Sequence, residues 1–344
     1  TFLLGTALAS SGDQQPLARD QRVGFEIALN ELNPQLQKLG IQLVSKPEDA
    51  GSKRESALTA FTSLLKQNVI AIIGPTYSFQ LFAVFQDETA GVAASPIPII
   101  STSATADDAA KLGPNNFRTS LGVKNYTRYV VDAAINEQPT IASAMLAYKA
   151  NDEFTASEAR ALITGTLGHA NVTLAPPITY TNDYTAVVAA VNAQNPDLFM
   201  LSALFDDGRQ ILELLTKTTY TGTIIIGNGL NTTEIFKYCK AKCNGIYIAQ
   251  AYSYHWQNAA NQKFVAAYQK YYDEHHAQSS YLPKQPSQIM AQMYTAVQVI
   301  EEALLDLDND YAHSGQRRLK KFDLNDSNQL QQLRVALNEK LLTN

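Results

Sequence analysis

The stretch Val69-Ile70-Ala71-Ile72-Ile73-Gly74-Pro75-Thr76-Tyr77-Ser78 decides the architecture. It opens with five consecutive apolar residues, most of them β-branched. A strand of that kind is covered on both faces, as in a parallel sheet with helices above and below. A small, polar turn follows, and a helix begins behind it. Upstream, Arg54–Asn68 places Leu58, Phe61, Leu64 and Leu65 at helical spacing. Downstream, Ile97–Ser101 repeats the apolar strand, and Ser101-Thr102-Ser103-Ala104-Thr105 repeats the hydroxyl-rich turn. Strand, turn and helix in regular alternation predict a doubly wound α/β sheet.

The alternation continues outward in both directions. Further strands are expected at Thr1–Leu8, Gln42–Ser45, Ala142–Tyr148, Val172–Ala175, Asp197–Ser202, Thr223–Gly227 and Gly245–Ala249. Amphipathic segments separate them, at Tyr126–Asn136, Thr155–Leu167, Asp183–Asn192 and Gly208–Thr216. The strands fall into two blocks, the first ending near Phe117–Ser120 and the second beginning near Ile141. Beyond Ala251 the chain turns helical, with Asn258–His275, Ser287–Leu305 and a last helix at Leu330–Leu342; Asp306–Gln329 reads as a loop or crossover. The order predicts two doubly wound parallel-sheet lobes joined by a hinge. Residues 1–119 with about 252–308 form the first, and residues 120–251 with about 309–344 the second.

Composition narrows the function. At 344 residues the chain exceeds what one core usually serves, and 45% hydrophobic with 17% charged residues places it among foldable sequences. The net charge is −5, with no basic stripe for a nucleic acid. Arg317-Arg318-Leu319-Lys320-Lys321 reads as a solvated edge. No apolar run approaches the ~20 residues that span a bilayer. Cys239 and Cys243 are read first as a small disulfide, which implies an oxidising compartment, with free thiols as the alternative. The five histidines are not placed to complete a metal site with them. No cofactor is implied.

In open α/β sheets ligands bind beyond the C-terminal ends of the strands, where helix starts offer unpaired N–H groups. The turns Gly74–Ser78 and Ser101–Thr105 are two such places on strands expected to be neighbours. Hydroxyls and free N–H groups there make a neutral cradle suited to a carboxylate. Ser78 and Thr105 have a competing reading as plain helix N-caps.

The segments Arg22–Asn33, Ile73–Ser78 and Ile99–Thr105 resemble those of type I periplasmic binding proteins. So do Asn151-Asp152-Glu153-Phe154, Asp183-Tyr184-Thr185, Gly227-Asn228-Gly229-Leu230-Asn231-Thr232 and Cys239–Gly245, in the same order along the chain. The closest resemblance is to the branched-chain and neutral amino-acid-binding branch. It implies two lobes with three crossovers, closing like a hinged clamp on a small carboxylate ligand for an ABC permease. A monomeric, extracytoplasmic receptor is expected, lipid-anchored or tethered in its full-length form. The resemblance puts carboxylate contacts on Ser78, Ser103 and Thr105, beside Tyr77. It puts a covering aromatic on Phe154 and side-chain contacts on Leu17, Leu204 and Ile289. Aliphatic ligands suit such a lining.

One departure bears on the ligand. Relatives commonly carry an acid in the loop after Thr223–Ile226 to pair with an ammonium, and here Asn228 stands in its place. Asp152 or Glu153, then Asp206 or Asp207, are the candidates to take the ammonium instead; otherwise the ligand is a 2-oxo or aromatic acid. The chain also stops sooner than relatives do, which keeps open a sensor domain of a transmembrane receptor or kinase.

Nothing points to an enzyme. There is no Walker loop, no dinucleotide fingerprint around Gly227-Asn228-Gly229 and no Gly-x-Ser-x-Gly elbow. Asp107-Asp108 and Asp206-Asp207 sit at helix starts, where the helix dipole accounts for them. Asn125, Asn171 and Asn231 open glycosylation sequons with no other sign of their use.

Overall fold

The computed structural model describes residues 1–13 and 15–343. They form two compact units. The first comprises Thr1–Ala104, Asp108–Ser120 and the chain from Tyr254 onward; the second comprises Thr105–Asp107 and Leu121–Ser253.

The first unit opens with β1 (Phe2–Leu8), α1 (Gln15–Gln37), β2 (Leu43–Asp49), α2 (Arg54–Leu65), β3 (Val69–Ile73), α3 (Ser78–Gln86), β4 (Ile99–Ser101) and β5 (Asn116–Arg118). The sheet runs β2-β1-β3-β4-β5, and every pairing is parallel. All five residues of β3 are fully buried, as its unbroken apolar run requires. Its β-branched side chains are stiff at χ1 and pack well on a pleated surface.

The second unit repeats the plan with α4 (Arg128–Glu137), β6 (Ser143–Lys149), α5 (Glu153–Leu167), β7 (Thr173–Leu174), β8 (Ile178–Tyr180), α6 (Tyr184–Gln194), β9 (Leu198–Ser202), α7 (Phe205–Leu215), β10 (Thr223–Ile226), α8 (Phe236–Cys239) and β11 (Tyr247–Ile248). Its sheet runs β11-β10-β9-β6-β7, with β8 also paired to β6. Met145, Phe199, Leu201, Ile211, Leu212 and Ile226 form the centre of its core. Cys239 and Cys243 are joined in a disulfide that closes the loop before β11.

The chain then returns to the first unit with α9 (Ala259–His275), α10 (Gln288–His313) and α11 (Ser327–Thr343). This corrects the assignment of residues 309–344 to the second lobe. Helix α11 packs on α10 and β3, and the Arg334 guanidinium donates to the carbonyls of Val69 and Gln67, both at 2.9 Å. Helix α10 also runs to His313, past the loop expected from Asp306. Leu307 and Asp308 stay buried, and Asp308 accepts from Leu319 N at 2.9 Å and pairs with Arg318. Two short strands, β5 and β8, have no apolar run to announce them. Each completes a sheet edge and takes its conformation from the neighbouring strand.

Candidate functional site

In the first unit β3 and β4 are neighbours, in register at Ile72 with Ile99 and Ile73 with Ile100. Their C-terminal turns are therefore side by side, as the sequence predicted. The two turns are tied together by one buried glutamine from α1. Thr76 Oγ1 donates to Gln21 Oε1 at 2.7 Å and accepts from Ala9 N at 2.9 Å. Gln21 Nε2 donates to Thr102 Oγ1 at 2.7 Å and to Ser103 Oγ at 3.0 Å. Ser103 Oγ in turn donates to the Thr76 carbonyl at 2.5 Å. Gln21, Thr76 and Thr102 are each fully buried, so this network stands in low dielectric and fixes both turns.

The network changes the expected role of Ser103. Its hydroxyl is committed to the scaffold, whereas its backbone N–H makes no hydrogen bond among the described residues. Nor is Ser78 an N-cap. Tyr77 occupies that position, and Ser78 is the first residue of α3. Tyr77 N donates to Gln80 Oε1 at 3.3 Å, and Gln80 Nε2 holds the carbonyls of Ala50 and Gly51. Burial raises the Tyr77 phenol well above its ordinary range, so it is a neutral hydroxyl. Leu17 is buried on α1, and Ile289 on α10.

Thr105 belongs to the second unit, where its carbonyl accepts from Val123 N at 3.0 Å. It is only 2% exposed, yet its hydroxyl and N–H make no hydrogen bond among the described residues. It is not the cap of a regular helix; a short 3-10 turn starts two residues later at Asp107.

The remaining candidates gather at the C-terminal ends of β6, β9 and β10. Asp152 caps α5, accepting from Thr155 N at 2.8 Å. Phe154, two residues along, packs its ring on the Asn228–Leu230 turn: a β-carbon on Gly229 would stand 2.9 Å from Phe154 Cε1 and 2.4 Å from the Ala203 carbonyl oxygen. Close packing of ring and backbone therefore requires glycine at 229. Leu204 sits at the N-cap position of α7 and is nearly buried. Asn228 donates one N–H of Nδ2 to the Ala249 carbonyl at 3.0 Å, and its Oδ1 makes no hydrogen bond among the described residues.

The four acids named as ammonium partners are not equivalent. Asp206 is taken by Arg209 and Gln210. Asp207 is taken by Lys149 at 3.1 Å and by the Tyr184 hydroxyl. Glu153 is half-exposed in the first turn of α5. Asp152 is buried and makes no ion pair among the described residues, and burial pushes its carboxyl up to about 6. A fifth acid escaped the sequence reading. Glu158, fully buried on α5, accepts from Asn228 N at 2.8 Å and contacts Ser202 Oγ at 2.7 Å. Burial pushes it up to about 7. Gln21 and Glu158 share one retrospective signal: each is a polar residue on the buried face of an amphipathic helix.

Residues 3–332 match the family of periplasmic binding proteins. The chain belongs to that family. A periplasmic binding protein is a solute-binding receptor with an extracytoplasmic setting, and the Cys239–Cys243 disulfide suits an oxidising compartment. No described helix is long and apolar enough to cross a membrane. Among solved structures the fold is similar to the leucine-binding protein LivK of Thermotoga maritima, with TM-score 0.76 and 16% identity over 97% of this chain and 87% of that one. It is equally similar to LivJ of Streptococcus pneumoniae in complex with isoleucine, with TM-score 0.76 and 18% identity over 99% and 87%. The fold is also similar to a solute-binding protein from R. palustris in complex with benzoate, with TM-score 0.72 and 18% identity over 98% and 85%. At these identities the likeness is one of fold. No curated protein matches the sequence significantly.

Proposed function

We propose that this periplasmic binding protein captures a neutral, aliphatic amino acid and delivers it, as a monomer, to the permease of an ABC importer. Thr105 is the observation that carries this reading. Thr105 is nearly buried as a residue, and its N–H and hydroxyl make no hydrogen bond among the described residues. Donors without a partner in the protein are available to an acceptor from outside it. A ligand carboxylate supplies that acceptor.

Asp152 supports the amino-acid identity. Its buried carboxyl makes no ion pair among the described residues and lies at the same end of the sheet as Asn228. In this reading Asp152 takes the ammonium, and Asn228 Oδ1 adds a neutral acceptor. Phe154 and Leu204 line the apolar part in the second unit. Leucine and isoleucine, bound by the similarly folded LivK and LivJ, are the first ligands to try. The replacement of an acid by Asn228 favours a second reading, a 2-oxo or aromatic acid, and a benzoate-bound protein of the same fold adds to it.

Thermal unfolding with each compound in excess separates the two, because a ligand that binds only the native state raises its midpoint. The expected result is a rise with L-leucine or L-isoleucine and none with 4-methyl-2-oxopentanoate or benzoate. A rise with the latter pair alone transfers the protein to the second reading. No rise with any carboxylate rejects both.

A further inference from the structure

The Ser202 hydroxyl lies between two oxygens. Its Oγ is 2.7 Å from Glu158 Oε2 and 3.1 Å from the Thr155 carbonyl oxygen. A hydroxyl has one proton to donate and lone pairs with which to accept. With Glu158 ionised, both neighbours are acceptors, and one of the two contacts lacks a hydrogen. With a proton on Oε2, the carboxyl donates to Ser202 Oγ and Ser202 donates onward to Thr155. Both contacts are then satisfied. Oε1 accepts the Asn228 N–H at 2.8 Å in either state.

The surroundings agree. Glu158 is fully buried, and no lysine or arginine pairs with it among the described residues. The titratable groups facing it are the Asp152 carboxyl at the start of α5 and the Tyr180 phenol on β8, neither of which supplies a positive charge. Lys149, on β6, is committed to Asp207. The rise of the Glu158 carboxyl to about 7 under burial points the same way.

We propose that Glu158 is a positioning residue which holds the Asn228 turn as a neutral carboxylic acid, and that capture of an amino acid releases its proton. The second half rests on Asp152 and Asn228 facing the ligand's ammonium, as read above. A cation arriving there favours the ionised carboxylate. The O–H of Glu158 then breaks, its proton passes to the buffer, and the Ser202 hydroxyl turns from Thr155 to Oε2.

Two measurements test this. In ligand-free protein, the carboxyl carbon of Glu158 followed by NMR is expected to titrate with a midpoint near 7; a midpoint in the ordinary glutamate range overturns the proposal. Calorimetry with L-leucine at pH 7, in phosphate and in Tris, counts the protons exchanged. Wild type is expected to release a fraction of a proton that Glu158→Gln does not, while the glutamine, a mimic of the neutral acid, still binds. Equal release by both proteins overturns the linkage. Amide exchange supplies the positioning readout: Glu158→Leu is expected to speed exchange at Asn228 by about tenfold, as one lost hydrogen bond implies, and Glu158→Gln to leave it unchanged. Equal exchange in all three proteins overturns the positioning role. Absence of leucine binding in wild type rejects the amino-acid reading and the linkage with it, while the carboxyl titration still decides the charge of Glu158.

Discussion

Gly227 stands against the Glu158 carboxylate so closely that a β-carbon there would lie 1.9 Å from Oε2. Glycine at 227 is thus the condition for a buried carboxyl between Ser202 and the Asn228 N–H. Gly227→Ala must displace that carboxyl, and overpacking of this kind costs about 1–3 kcal/mol. The loss is measured by urea denaturation. In a Glu158→Ala background the same change should cost at least ~1 kcal/mol less, because the two sites are in contact. Additive costs would show that the contact does not matter.

Protonation of Glu158 makes stability depend on pH. Its carboxyl is raised from 4.5 to about 7 in the fold. A raised carboxyl contributes stability that is fully present below its unfolded value and is lost as pH rises through its folded value. The difference between pH 4 and pH 8 is on the order of 3 kcal/mol for this group. Asp20 and Asp152, each raised to about 6, add slopes of the same sign. The check is therefore a comparison: denaturation curves of Glu158→Gln should show a flatter rise toward acid than wild type. Parallel curves would reject the assignment.

Thr105→Val keeps the shape of the side chain and removes its hydroxyl. Affinity for the amino acid should fall by at least ~1 kcal/mol, about fivefold, as for a desolvated hydrogen bond. Unfolding in the absence of ligand should hardly change. Calorimetry and thermal melts on the same preparation test both halves, and unaltered affinity removes Thr105 from the site.

Asp152→Asn separates charge from capping. Asparagine also serves as an N-cap, so α5 should persist. The charge-assisted bond to an ammonium becomes a neutral one, which costs up to ~2 kcal/mol, or roughly thirtyfold in affinity. The wild-type carboxyl titrates at about 6, so affinity should hold above that pH and decline below it as the group takes up a proton. The variant should lose this acid decline. An unchanged pH profile would place the ammonium elsewhere.

Arg334→Met probes the return of α11 to the first unit. It strips two donors from the Val69 and Gln67 carbonyls at the start of β3. A loss of about 2–4 kcal/mol is expected, since hydrogen bonds from a charged donor contribute ~1.5–3 kcal/mol each and only part is regained from solvent. Denaturant titration reads the loss directly. A change under ~0.5 kcal/mol would put α11 outside the structural core of that unit.

Sites were less legible than strands. The turns after β3 and β4 were visible as small hydroxyl runs behind apolar runs, and their adjacency followed from strand order. The division of labour inside them was not. Ser103 spends its hydroxyl on Thr76 because Gln21, 82 residues earlier on α1, completes a closed network. Asn228 looked like a weakened ammonium ligand, and in the fold its amide also ties β10's loop to Ala249. Phe154, read as a lid for the ligand, also packs on Gly229. The expectation that 309–344 lay in the second lobe failed because nothing local in α11 says which surface Arg334 will reach.

The sequence alone determined that this chain would build two parallel sheets with small, hydroxyl-rich turns behind β3 and β4. Unbroken β-branched runs and helical spacing are local properties, and burial of both sheet faces follows from them. Only the tertiary structure decided which donors remain unspent, which acids are buried without an ion pair, and that Glu158 meets Ser202 and Asn228. Those outcomes depend on distances between residues remote in sequence, where a few tenths of an ångström separate a committed hydrogen bond from one kept for a ligand.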